Sequence, residues 1–283
     1  MIYIFIAGVL WGTIGLYVKT LASYGAGGSY ISILRMGSAL AVTLTIAVMK
    51  YGIKTFTPSR KVLLPCMLIG FISNGAFNLL YSYSIKTNGM AIACVLMYSA
   101  PVFTAIASAI LFREKFTLLK ISALALNIIG CILTVTGGDI SGSNIVLPGI
   151  LAGLGTGFCY GMAAVFARIA EKNTNPLLLS VYGYFFALLF LMIFSRPEFS
   201  PVNIKVLGVG FLYGLIPTAI AYMVYYVGLK RIDDTSRVPV IASIEPVTAV
   251  AVGMLLYNEQ LGTVNFIGVA VVLFSIIIMI KAE

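Results

Sequence analysis

Histidine is absent from the 283 residues, tryptophan occurs once, cysteine four times, and only 10% of the chain is charged. Each shortage excludes something. Without histidine, and with Cys66, Cys94, Cys131 and Cys159 scattered singly through apolar runs, no ligand cluster or CxxC pair exists. Neither a zinc site nor a disulfide framework is expected, and the thiols read as small core residues. No Walker loop, nucleophile elbow or dinucleotide fingerprint occurs, so neither enzymatic chemistry, a cofactor nor ATP use is expected. The sparse charge excludes a soluble domain, which would need far more polar residues to cover its core.

Apolar residues make up 60% of the chain, and its mean hydropathy is +1.06. That composition belongs to a multispanning membrane protein, with the lipid bilayer as its surroundings. The formal charge of +9 lies in short gaps between apolar runs, with no basic cluster interleaved with aromatics. It reads as a topology signal and not as a nucleic-acid surface. The opening MIYIFIAGVLWGTIGLYV has no basic stretch before its apolar run, so it reads as a first membrane helix and not as a cleaved signal peptide.

Runs near the roughly 20 residues that a crossing needs fall at about 2–18, 30–49, 62–85, 90–112 and 118–136. The turns between them carry glycine (Gly25, Gly27, Gly28, Gly89) or charge (Lys50, Lys54, Arg60, Lys61, Arg113, Glu114, Lys115). A polar connector from Gly137 to Asn144 then divides a first unit, residues 1–137, from a second, 145–283. Beyond it one helix starts near Pro148 and another at Asn175-Pro176, followed by runs at about 205–229, 237–257 and 264–280. Halves with five crossings each, joined in series, insert in opposite senses. The expected fold is therefore an all-α integral membrane protein of ten transmembrane helices in two inverted five-helix repeats. With the N-terminus in the cytoplasm, only Lys19, Lys86, Arg196 and Lys205 of the eighteen basic residues fall outside. Arg35 lies within a span and the other thirteen lie inside, as expected for a multi-pass plasma-membrane protein with both termini cytoplasmic.

The repeat is visible in the residues. Ala93 to Glu114 reads ACVLMYSAPVFTAIASAILFRE and Val238 to Glu259 reads VPVIASIEPVTAVAVGMLLYNE. Subtracting 145 brings Pro246 onto Pro101, Leu256 onto Leu111 and Glu259 onto Glu114, and likewise Tyr226 onto Tyr81. Glycines at four-residue spacing (Gly8 and Gly12, then Gly149, Gly153, Gly157 and Gly161) mark close helix packing. Together with Trp11-Gly12 in the first helix and Leu34-Arg35 opening the second, these paired blocks resemble the EamA family of the drug/metabolite transporter superfamily. The resemblance spans nearly the whole chain. It implies ten helices in two inverted repeats, cytoplasmic termini, and alternating access by an energy-coupled carrier, often an exporter of amino acids or related metabolites. The chain departs from symmetry where Ala100 faces Glu245 and Asn258 faces Arg113.

Glu245 is the first candidate site residue. A carboxylate at mid-span costs about 2.5–3.5 kcal/mol on insertion scales, and such groups mark ion pathways, partners or substrates. Pro246 frees the carbonyl of Ala242 beside it, making a polar notch suited to a solute's amino group or to a transported proton. Asn74, Asn78 and Tyr81 share one face of the third helix, which should look inward. Tyr213, Tyr222, Tyr225 and Tyr226 surround an expected kink at Pro217, some of them at the membrane interface; Tyr98 precedes the fourth helix's notch. Trp11 lies inside its span, away from the boundaries where such rings collect. The substrate-binding set is thus Glu245, Asn74, Asn78, Tyr81, Tyr98, Trp11 and Tyr222, with Glu245 also the proton-coupling candidate and no metal ligands. Arg35, near a helix start, reads as snorkelling or as a structural ion pair. Glu114 and Glu259 read as local caps or pairs, and Asp233 and Asp234 as solvated.

The expected function is secondary transport of a small polar metabolite, such as an amino acid or amine, with proton-coupled export favoured. Import of an amine or vitamin, a passive facilitator and a non-transporting scaffold are the alternatives.

Overall fold

The computed structural model describes residues 1–52, 56, 59–139, 146–195, 203–257, 260 and 262–282. Lys54, Pro58, connector residues 140–145, Arg196, Asn258 and Glu259 lie outside the described residues. Ten described helices are long and apolar enough to cross a membrane: α1 Ile2–Ser23, α2 Gly28–Tyr51, α3 Arg60–Asn88, α4 Met90–Phe112 and α5 Leu118–Thr136, then α6 Leu147–Glu171, α7 Pro176–Phe194, α8 Ile204–Leu229, α9 Arg237–Tyr257 and α10 Thr263–Lys281. No strand occurs among the described residues. The expected spans are recovered: α4, α5 and α9 keep their expected bounds, and α1 runs on past Val18 to Ser23. Local chemistry sets several starts. Thr117 and Asn175 accept hydrogen bonds from the backbone N–H groups of Lys120 and Leu178, capping α5 and α7, and Pro176 occupies the first helical position.

Four of the helices are interrupted in matching pairs. α3 is π-helical over Ile69–Ala76 and α8 over Leu215–Ile220; α4 breaks after Met97 and α9 after Ala242. The offset of 145 read from the sequence carries 69–76 onto 214–221, and Met97 onto Ala242. Each break has a chemical cause. Pro101 and Pro246 lack the N–H that would bond the carbonyls of Met97 and Ala242. Ser99 Oγ and Ser243 Oγ donate back to the carbonyls of Leu96 and Val240, which steadies the turn. In the π segments, side chains satisfy carbonyls five residues back: Asn74 Nδ2 donates to Ile69 (3.2 Å) and Thr218 Oγ1 to Tyr213 (3.0 Å). The kink expected at Pro217 is such a π turn. α1 is also interrupted, at Thr13, whereas α6 runs unbroken.

Packing crosses between the halves. α1 lies against α8 and α9, and α6 lies against α3 and α4; α2 packs on α7, and α5 on α10. Glycine allows these approaches. A Cβ on Gly8 would stand 2.6 Å from the carbonyl oxygen of Ala242, and one on Gly12 2.7 Å from that of Glu245. One on Gly157 would stand 2.9 Å from the carbonyl of Leu96 and one on Gly161 2.6 Å from that of Ala100. With no hydrophobic drive between helices in lipid, such close backbone contact is what holds them.

The two faces of the bundle differ. Arg231 donates to the Tyr3 hydroxyl and Arg237 to the carbonyl of Ala282, so both chain ends share one face with the α4–α5 and α8–α9 turns. On this near face Glu114 accepts from the backbone N–H groups of Thr235 (2.7 Å) and Ser236 (3.0 Å). Asp234 pairs with Lys120 and with Arg237. Glu114 is therefore a cap, as expected, but one that reaches into the other half. Asp234 is not the solvated residue that the sequence suggests: its side chain is only 16% exposed, because the two turns press together around it. The two larger cavities, of about 370 and 350 Å³, lie toward the opposite face.

Candidate functional site

At mid-depth, where the interrupted helices meet, a cavity of about 40 Å³ opens between the halves. Trp11, Ile14, Arg35, Ser73, Asn74, Phe77, Asn78 and Met97 line it from the first half, and Tyr160, Tyr222 and Glu245 from the second. Two voids of about 10 Å³ each adjoin it beside Pro239, one including Glu245 and the other Trp11. A water needs roughly 10–15 Å³ on this measure, so the main cavity holds about three.

The α9 break places Glu245 here: it lies in the first turn of the segment that begins at Ile244. Its Oε2 accepts a hydrogen bond from the Tyr160 hydroxyl at 2.9 Å, a contact from α9 to α6. Trp11 is only 4% exposed; its ring centroid lies 5.0 Å from that of Tyr222, 5.1 Å from Tyr225 and 6.2 Å from Tyr160. The carboxylate thus stands in an aromatic box, which favours a cationic group. The π turn of α3 places Asn74 and Asn78 on the wall. Asn78 Nδ2 donates to the Asn74 carbonyl (2.6 Å), and its Oδ1 accepts from Ser32.

Five of the expected residues therefore line one cavity: Glu245, Asn74, Asn78, Trp11 and Tyr222. Tyr98 borders the void beside Glu245. Tyr81 lies off the main cavity, its hydroxyl paired with Cys94 Sγ at 2.9 Å and its ring stacked on Phe77. Tyr213, Tyr222, Tyr225 and Tyr226 are all buried, so none of them is an interfacial ring. Sequence reasoning missed Tyr160, Ser73 and the role of Arg35. Tyr160 stands between Gly157 and Gly161, and this aromatic residue inside a small-residue stripe is the one signal that could have found it.

Arg35 does not snorkel. It is 8% exposed, and its Nε donates to Thr218 Oγ1 at 3.0 Å, so the π turn of α8 holds it. The Tyr213 ring lies 5.3 Å from its guanidinium carbon. No ion pair joins Arg35 to a carboxylate among the described residues.

A buried amide supports the site from behind. Asn127 Nδ2 donates to Ser243 Oγ (2.5 Å) and Ser275 Oγ (3.0 Å), tying α5 and α10 to the break in α9.

The chain is similar over nearly its full length to known transporters. An uncharacterized transporter of Archaeoglobus fulgidus is 25% identical over 279 residues, 97% of this chain and 94% of that one. The uncharacterized transporter YwfM of Bacillus subtilis is 23% identical, covering 99% and 93%. The threonine/homoserine exporter RhtA of Escherichia coli K12 is 24% identical over 248 residues, 87% of this chain and 80% of RhtA. A crystal structure with 18% sequence identity has the same fold, with a TM-score of 0.81 over 98% of this chain and 94% of that one. The model of the EamA-like transporter family matches residues 1–136 and again 147–281. With both halves matched and ten membrane-length helices, the chain belongs to the EamA-like transporter family.

Proposed function

We propose that this transporter is a secondary active carrier of a small polar metabolite, works by alternating access and exports its solute in exchange for protons. The observation that carries the reading is Glu245: a carboxylate at a helix break, facing a cavity between the halves and hydrogen-bonded to Tyr160 across them. A group of this kind at mid-membrane binds a proton or a solute cation in turn. The paired breaks, the crossed packing and the two family matches support reading residues 1–137 and 145–283 as inverted repeats. The near face closed by polar contacts, with the larger cavities toward the other, fits one state of a rocking cycle. The basic-residue bias favours a cytoplasmic near face, with both termini inside, in the plasma membrane.

Counterflow in proteoliposomes tests this reading. A carrier takes up labelled solute faster when unlabelled solute is trapped inside, and an imposed pH gradient drives that solute against its own gradient. Uptake indifferent to trapped solute would indicate a passive facilitator, and the absence of solute-dependent flux across a broad metabolite panel a scaffold. Inward accumulation driven by the physiological gradient would indicate an importer.

A further inference from the structure

The reading of Glu245 as a solute or proton site leaves three polar groups of the same cavity without a task. Arg35 lines the wall opposite in charge to Glu245 and pairs with no carboxylate among the described residues. Trp11 Nε1 and Ser73 Oγ are buried and have no hydrogen-bond partner among the described residues; their residues are 4% and 5% exposed and line the same cavity. A buried orphan donor needs an explanation, and so does a buried guanidinium that shares a cavity with a carboxylate yet makes no direct ion pair with it. Here a cation, an indole N–H and a hydroxyl that can donate are gathered in one small space.

We infer that Arg35, Trp11 and Ser73 form a carboxylate-binding subsite, so that the cavity recognises a zwitterion, with its ammonium group at Glu245 and its carboxylate at Arg35. This rests on the transport reading above and narrows it to the α-amino acids. The geometry of the chain builds the subsite. The π turn of α8 directs Thr218 Oγ1 to Arg35 Nε, which fixes one edge of the guanidinium. The Tyr213 ring flanks it. A carboxylate accepts two parallel bonds from such a fork, and the indole N–H and the hydroxyl can supply the rest. A simple amine would leave Arg35 unpaired, and a simple acid would meet Glu245 with nothing to offset it. The volume, about 40 Å³, selects a compact molecule whose charges are close together.

Trp11 is the only tryptophan of the chain and reports its own cavity. Purified protein is titrated by intrinsic fluorescence with L-alanine, L-serine and L-threonine. The matched amines (ethylamine, ethanolamine, 1-amino-2-propanol) and acids (propionate, 3-hydroxypropionate, 3-hydroxybutyrate) follow. The same compounds are then run in counterflow. At least one amino acid should act at a concentration tenfold or more below its amine and its acid. Arg35→Gln should weaken that amino acid by about 10- to 100-fold, the loss of a charged hydrogen-bond pair, and leave the amine unchanged or tighter. Ser73→Ala, which keeps every charge, should weaken the amino acid by about fivefold and leave the amine alone. An amine or acid bound as tightly as the amino acid by the wild type, or a preference that survives Arg35→Gln, overturns the subsite. If the wild type exchanges some non-zwitterionic solute, the subsite falls and the carrier reading stands. If no solute of any class exchanges, both fall.

Discussion

Replacing Glu114 by alanine should open the near face. Its carboxylate, at the α4–α5 turn, accepts from the backbone N–H groups of Thr235 at 2.7 Å and Ser236 at 3.0 Å in the α8–α9 turn. Ser236 keeps a second acceptor, Asp234 Oδ1 at 3.2 Å, whereas Thr235 is 0% exposed and its N–H has no other acceptor among the described residues. Stranding one buried donor costs about 1–3 kcal/mol. The loss acts only on the state in which the two turns meet, so the closed-to-open ratio should fall by about 5- to 150-fold. Trp11 reads the change, since it borders the void between Glu245 and the near face. Acrylamide should quench its fluorescence weakly in the wild type and markedly more strongly in the variant, with the folded helical content preserved. Unchanged quenching together with wild-type exchange rates would refute the idea that this contact holds the near face shut.

The remaining expectations concern the same contacts and the helix packing. Burial opposes ionisation of Asp234, but hydrogen bonds from Lys120 and Ser236 and the Lys120 charge outweigh it, holding its pKa at about 2 against an ordinary 3.8. A depressed carboxylate stabilises the folded, closed state above its unfolded value and loses that contribution as pH falls from 3.8 toward 2. The Asp234 contribution to closure, measured as the difference in Trp11 quenching between wild type and Asp234→Asn, should therefore stay constant from pH 5 to 8 and vanish only below about pH 4. A difference that titrates near neutrality would contradict the assignment. Gly8→Ala places a Cβ 2.5 Å from Ile244 Cγ2 and 2.6 Å from the Ala242 carbonyl, an overpacking worth about 1–3 kcal/mol. Gly15→Ala meets nothing within 4 Å. The first variant should melt several degrees below the second; equal melting temperatures would show that α1 is free to move off α9.

Much of the architecture could be read because lipid imposes it: apolar runs of crossing length, glycine and charge in the turns, and a repeat offset that survives in Pro101 and Pro246. Of the residues lining the candidate site, Glu245, Asn74, Asn78, Trp11 and Tyr222 were legible because polar or amphipathic groups at mid-span are costly against lipid. The π turn in α3 was not legible. No proline lies within it, and Pro65 is four residues before its start. Arg35 was misjudged because distance from a helix end says nothing about which side of the helix a neighbour covers; here α8 covers it through Thr218. Asp234 and Glu114 were underestimated for a similar reason, since a turn that looks solvated in one dimension can be pressed against another turn from the opposite half. Asn127, which bonds Ser243 and Ser275, has no periodic or motif signal of its own.

The most direct test of the account is Glu245→Gln in proteoliposomes, measured with and without an imposed pH gradient. The account predicts a correctly inserted protein in which the pH gradient no longer drives solute movement. Gradient-driven accumulation at the wild-type rate, with the wild-type dependence on pH, would contradict it.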